Sequence, residues 1–207
     1  MTTPTTKLAA VNSMLSTIGE APVNSLTSGL VDAETAETIL NEVSRSVQAS
    51  GWNFNSESNY SVAADTDGNV VLPIEIIRAD LANSVTKFRS SKNEYVQRGN
   101  KMYDKVNHTF NIGKSLLLDI VVLLDFELLP EVARRYITVF SARLFQERVV
   151  GSDTLSAFNR NDEQAALFAL REMEGDNADY NIFDDNSTYS VLDRGIGAKV
   201  INNGSSF

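Results

Sequence analysis

Cysteine is absent from the 207 residues, and histidine occurs once, at His108. The first absence removes disulfides, thiolate nucleophiles and sulfur-ligated zinc together, and it suits a reducing compartment or a particle assembled in one. The second removes any histidine-rich metal site and any mechanism that needs two imidazoles. Long apolar runs are also missing. The longest, 116–124, is interrupted by Asp119 and falls well short of the roughly 20 residues that a bilayer-spanning helix needs. No basic region followed by an apolar stretch appears in Met1-Thr2-Thr3-Pro4-Thr5-Thr6, so the expectation is a soluble protein with no signal peptide and no membrane partner.

Positive charge is in deficit: 18 Lys and Arg face 27 Asp and Glu, for a formal charge of -9. Gripping phosphates requires clustered cations, so this balance argues against a nucleic-acid grip; it reads first as a solubility feature, with a surface past which DNA slides without sticking as the alternative. No phosphate loop, dinucleotide glycine fingerprint or nucleophile elbow is present. Asn107-His108-Thr109 reads as a loop with a solvated imidazole. Asp65-Thr66-Asp67-Gly68 reads as a turn, because a calcium loop needs regular ligand positions and a closing glutamate, and Glu75 comes too early. Arg134-Arg135 reads as a solvated helix edge. Carboxylate pairs such as Asp184-Asp185, or Glu172 with Asp176, are the residue types a glycosidase uses, but acids are too common here to be diagnostic. The expectation is no catalytic, metal or cofactor site and no enzymatic activity.

A hydrophobic content of 43% is enough to bury a full core. The informative stretch is Trp52-Asn53-Phe54-Asn55, directly behind Gly51. The segment before it, 32–50, places Ala36, Ile39, Leu40, Val43 and Val47 on one helical face, with Asp32 as the expected cap. Trp52 and Phe54 therefore arrive where that helix ends and are expected to plug the open end of a helical core. A first helix is expected from a Thr5 or Thr6 cap to Ile18, with Leu8, Val11, Leu15 and Ile18 inward and Gly19 as its stop.

From Glu57 to Leu124 the period changes to that of strands. Tyr60 and Val62 alternate with polar neighbours, and 70–72 resumes an extended pattern after the Asp65 turn. Strands are also expected at 85–88, 94–98 and 101–105, the last two joined by Gly99-Asn100, and 116–124 is expected to be the most buried strand. Helix returns with Pro130 in its first turn. Residues 131–150 are apolar on two sides, through Ala133, Tyr136, Ile137, Phe140 and Leu144 and through Val139, Phe145 and Val149. A fourth helix, capped by Ser152 or Asp153, is expected to reach Glu174, with Leu155, Phe158, Ala165, Ala166, Ala169 and Met173 inward and Asp162 intruding.

The predicted fold class is α+β: a helical bundle built from the N- and C-terminal helices, a central antiparallel β insertion and an extended C-terminal tail. The corresponding division is 1–55 with 126–183 as the bundle, 56–125 as the insertion and 184–207 as the tail. Asn, Gly and Ser dominate that tail around Val191, Leu192, Ile196, Val200 and Ile201, which are too scattered to offset the entropy of ordering alone. They belong either to a frayed terminus or to a segment that orders on a partner, and in the second case they are its candidate anchors.

The chain resembles the tail tubular protein A family, the head-to-tail adaptors of short-tailed bacteriophages. The resemblance rests on Ala10-Val11-Asn12, Met14-Leu15, Ile18-Gly19-Glu20 and Pro22-Val23, and on Ile39-Leu40 through Gln48 to Gly51-Trp52 and Phe54-Asn55. Arg98-Gly99, Tyr103-Asp104, Leu129-Pro130-Glu131, Arg135-Tyr136-Ile137 and Tyr180-Asn181 continue it in order. It implies a virion protein of the short tail, assembled in the host cytoplasm as a dodecameric ring. That ring would lie between the portal protein and the tail nozzle protein, carry tail fibres or spikes at its rim, and pass DNA during ejection without binding it specifically. Docking to the portal through Val191, Leu192, Ile196, Val200 and Ile201 is the accompanying expectation. The competing expectation, from abundant carboxylates alone, is a tail-associated peptidoglycan hydrolase.

Overall fold

The computed structural model describes residues 4–82, 94–151 and 153–178. The element order is α1 (Lys7–Thr17), α2 (Val31–Gln48), β1 (Ser56–Val62), β2 (Ile76–Leu81), β3 (Tyr95–Arg98), β4 (Lys101–Asp104), β5 (Leu116–Val122), α3 (Glu131–Val149) and α4 (Asp153–Ala178). Single 3-10 turns, Asn53–Asn55 and Phe126–Leu128, mark the two passages between helices and strands. The arrangement is α+β.

α1 starts where predicted, with the Thr6 hydroxyl accepting the Ala9 amide at 3.1 Å. Its buried stripe is Ala10, Val11, Met14 and Leu15. Leu8 and Ile18, toward the two ends of the helix, are only half-buried. Asp32 is not the cap of α2. The helix begins one residue earlier, at Val31, and Asp32 lies in its first turn, where a carboxylate complements the positive end of the helix dipole. All five apolar residues expected on its inward face are buried.

α3 turns three sides to its neighbours and packs on α1, α2 and α4. Phe145 and Ile137 are fully buried, whereas Val149 is exposed in the last turn. Pro130 sits at the cap, one position before the first helical residue. α4 runs past Glu174 to Ala178 and buries Ala166 and Leu170. Ala165, Ala169 and Asp162 face solvent, so Asp162 does not intrude on the core; among the side chains described in this helix the inward stripe includes Ala166, Leu170 and Met173, at the helical i, i+4, i+7 spacing, while the side chains of Leu155 and Phe158 lie outside the described ones. The four helices share one apolar interior, and Arg143 of α3 ties α4 down through Glu163 while also holding Glu147 at 2.8 Å.

The sheet has the order β1-β5-β2, antiparallel throughout, so β5 is central as its Ile, Val and Leu content predicts. β2 has no counterpart among the expected strands. Its register shifts between Ile76 and Arg78, and this bulge destroys the two-residue alternation that would have revealed it. The β3–β4 hairpin turns at Gly99-Asn100 as expected and lies beside β2, where the Gln97 side chain accepts the Ala79 amide at 2.9 Å. Val70, Leu72, Met102 and Leu118 centre a second apolar cluster, separate from that of the helices. The expected strand 85–88 and the tail from 179 onward lie outside the described residues.

Candidate functional site

The most elaborately built feature is a buried polar joint between bundle and sheet, at the end of α2. Gln48 falls on the apolar stripe, four residues from Ser44 and eight from Leu40, and is 0% exposed. Its side-chain amide acts as a strand partner: Nε2 donates to the Leu124 carbonyl at 3.0 Å, and Oε1 accepts the Leu124 amide at 2.8 Å. A further bond from Nε2 reaches the Ser44 hydroxyl at 3.0 Å. Leu124 lies two residues after the end of β5, so one side chain fixes the exit of the central strand to the helix.

Asn55 completes the joint from the other direction. Its Nδ2 donates to the carbonyls of Gln48 at 3.0 Å and Val122 at 2.9 Å, while Oδ1 accepts the Trp52 amide at 2.8 Å. A buried amide with all its bonds satisfied fixes position without a desolvation penalty, whereas an unsatisfied one costs stability. Gly51 makes the path possible. It has φ +78°, and a Cβ there would lie 2.7 Å from Arg78 Nη2 and 3.0 Å from Val121 Cγ2.

Trp52 and Phe54 lie where the sequence places them, half-buried against the helical interior with rings stacked at 6.4 Å and 4°. The Trp52 indole donates to the Val47 carbonyl at 2.7 Å, closing the end of α2. Beside them a groove of about 350 Å³ runs between Trp52, Tyr136, Phe140, Leu167 and Arg171. A larger cleft, about 580 Å³, opens on the opposite seam between Lys7, Arg45, Ile74, Glu75, Asp125 and Glu127.

The titratable groups serve structure. Two backbone amides and the Asn107 side chain bond Asp104, chiefly through Asn107, and hold its carboxyl below the ordinary aspartate value. Asp65 is lowered in the same way by Asn69 and Asp67, which confirms its turn. Glu131 is lowered by the Thr5 hydroxyl and amide, which close the entrance of α3 onto α1. Burial raises the Tyr136 hydroxyl, and the hydrogen bonds that Arg143 donates to Glu163 and Glu147 raise Arg143 against the opposing effect of burial.

His108 is exposed with φ 53°, in the loop after β4. Arg134 is not a solvated edge: it donates to the Leu129 and Thr5 carbonyls at 2.7 and 2.9 Å, while Arg135 is exposed. Glu172 is exposed, Asp176 has no described side-chain environment, and Asp184-Asp185 lies outside the described residues. Val191, Leu192, Ile196, Val200 and Ile201 lie outside them too. Among the described residues no group of three His, Asp or Glu is placed to hold a metal ion, and no helix is long and apolar enough to cross a membrane.

Sequence reasoning singled out the aromatics and gave Gln48 and Asn55 no role. The available signal was a polar residue on an otherwise apolar stripe, which must find partners when buried. Asn12 uses the same device: Nδ2 donates to the Val23 carbonyl at 2.9 Å and Oδ1 accepts the Val23 amide at 2.8 Å, pinning the strap after α1.

A helical bundle locked by side-chain amides to a small antiparallel sheet defines a rigid α+β building block. The chain matches the tail tubular protein family over residues 8–180, and it belongs to that family. Members are structural components of bacteriophage tails, and membership implies interaction with other tail and virion components. No individual curated protein matches the chain.

Proposed function

We propose that this tail protein is a head-to-tail adaptor, forming a ring, dodecameric in the family it resembles, between the portal protein and the tail nozzle protein. DNA passes through that ring during ejection, and fibres or spikes attach around its rim. In this reading 1–55 with 126–183 forms the wedge of the ring, 56–125 is a module held outward for a second partner, and 184–207 docks on the portal through Val191, Leu192, Ile196, Val200 and Ile201. Assembly takes place in the host cytoplasm, and the chain performs no catalysis.

The observation that supports this most is the joint of Gln48 and Asn55. An adaptor transmits position between two partners, and that requires its two apolar clusters to be coupled without play. A closed ring further requires each subunit to meet its neighbours through two different surfaces. Co-sedimentation with purified portal rings tests the reading: the chain is expected in the pellet with the portal. Recovery in the supernatant at every concentration would refute it. Truncation after Asp184 is expected to weaken pelleting while leaving helical circular dichroism intact; undiminished pelleting would move the portal contact elsewhere.

A further inference from the structure

The charge of the chain is strongly polarised. Residues 78–114 contain eight of the 18 Lys and Arg but only three of the 27 Asp and Glu, so the remainder of the chain holds ten cations against 24 acids. Within the basic stretch the β3–β4 register sorts the side chains. Met102, Asp104 and Gln97 turn inward, the first two buried and the third bonded to β2. The alternate positions, Val96, Arg98, Lys101, Tyr103 and Lys105, therefore share the outer face.

That face is ordered. The Arg98 guanidinium lies 3.7 Å over the Tyr103 ring, and Phe110 meets the same ring edge-on at 4.9 Å. Phe110 is 39% exposed, and Val106, in the same segment after β4, is 64% exposed. One acid, Glu94, shares the face through its carbonyl bond from the Lys105 amide. Among the described residues none of Arg98, Lys101 and Lys105 forms an ion pair. Three cations without a salt bridge, of which Lys101 lies within electrostatic reach of Asp65, around an edge-to-face aromatic pair make a surface suited to an anionic, partly apolar partner.

We infer that this outer hairpin face docks on a second copy of the chain, in the cleft of about 580 Å³ at the bundle–sheet seam. The rim of that cleft carries Glu75, Asp125 and Glu127 around Ile74, which is 90% exposed. Its two cations are Arg45 and Lys7, and Lys7 is already held by Glu37 at 2.7 Å. DNA is the poorer partner, because the remainder of the chain holds ten cations against 24 acids and repels a phosphate backbone on average. The contact joins two different surfaces, as ring closure demands, and it rests on the ring reading above.

The absence of cysteine provides a direct test. Ile74→Cys and Val106→Cys chains are mixed, assembled on portal rings and oxidised. The expected result is a disulfide-linked dimer that requires both variants. Its yield is expected to fall by about tenfold or more when the Val106→Cys chain also carries Arg98→Glu and Lys105→Glu, since like charges then face each other. Adding Glu75→Lys and Glu127→Lys to the other chain is expected to restore it. Assembled rings that give no crosslink would overturn the contact and leave the ring reading standing; failure to assemble on portals at all would instead remove the ring reading, and the contact with it. Retention of wild-type chain on duplex DNA that is lost with the charge reversals, in rings without the crosslink, would overturn the contact in favour of a nucleic-acid surface.

Discussion

Replacing Gln48 by Met keeps the volume of the side chain and removes its hydrogen bonds, so it isolates the polar part of the joint. Three bonds of 2.8 to 3.0 Å disappear, and the Leu124 amide, the Leu124 carbonyl and the Ser44 hydroxyl lose their partner. A buried peptide group left unsatisfied costs about 1–3 kcal/mol. Leu124 is half-buried, so water relieves part of the penalty, and the expected loss for Gln48→Met is about 2–3 kcal/mol in total. For a chain of this size that lowers Tm by roughly 4–12 °C. Trp52, the only tryptophan, lies within the joint and reports its opening by fluorescence during urea unfolding. A second readout, circular dichroism of the helices, shows whether sheet and bundle still unfold together. A loss below about 0.5 kcal/mol, the scale of an indifferent surface substitution, would refute the reasoning.

Gly51→Ala places a side chain in the left-handed region against Arg78 and Val121; the expected cost is about 1–2 kcal/mol, read from the urea midpoint, and no change would show that the turn relaxes freely. Phe145→Ala empties the centre of the bundle and is expected to cost about 3–5 kcal/mol, whereas a loss under about 1 kcal/mol would deny a shared helical interior. Asp104 has a lowered carboxyl, so its contribution to stability is present above the ordinary aspartate value and is lost as pH falls through the lower folded value. Asp104→Asn is therefore expected to be less stable than wild type at pH 7, with the difference shrinking below about pH 4; a constant difference across urea titrations at pH 7, 4 and 3 would contradict this.

Much of this fold is legible in the sequence because its helices announce themselves. The stripe from Ala36 to Val47, the Thr6 cap and the paired apolar sides of α3 each follow from a local period that burial preserves. β5 is legible for a different reason, since a central strand is apolar on both faces. What escaped notice depends on partners distant in sequence. β2 hides behind a bulge set by its pairing with β5, and Gln48 finds Leu124 only across a separation of 76 positions. The charge polarity between 78–114 and the remainder is present in the sequence, but which cations share a face is decided by the hairpin register.

Electron cryo-microscopy of portal rings incubated with the chain measures the central claim most directly. The account predicts a closed ring added below the portal, in which the four-helix bundle and the sheet of each subunit form one body joined at Gln48 and Asn55. Bare portals at saturating chain concentration, or subunits whose sheet is displaced from the bundle at that joint, would contradict it.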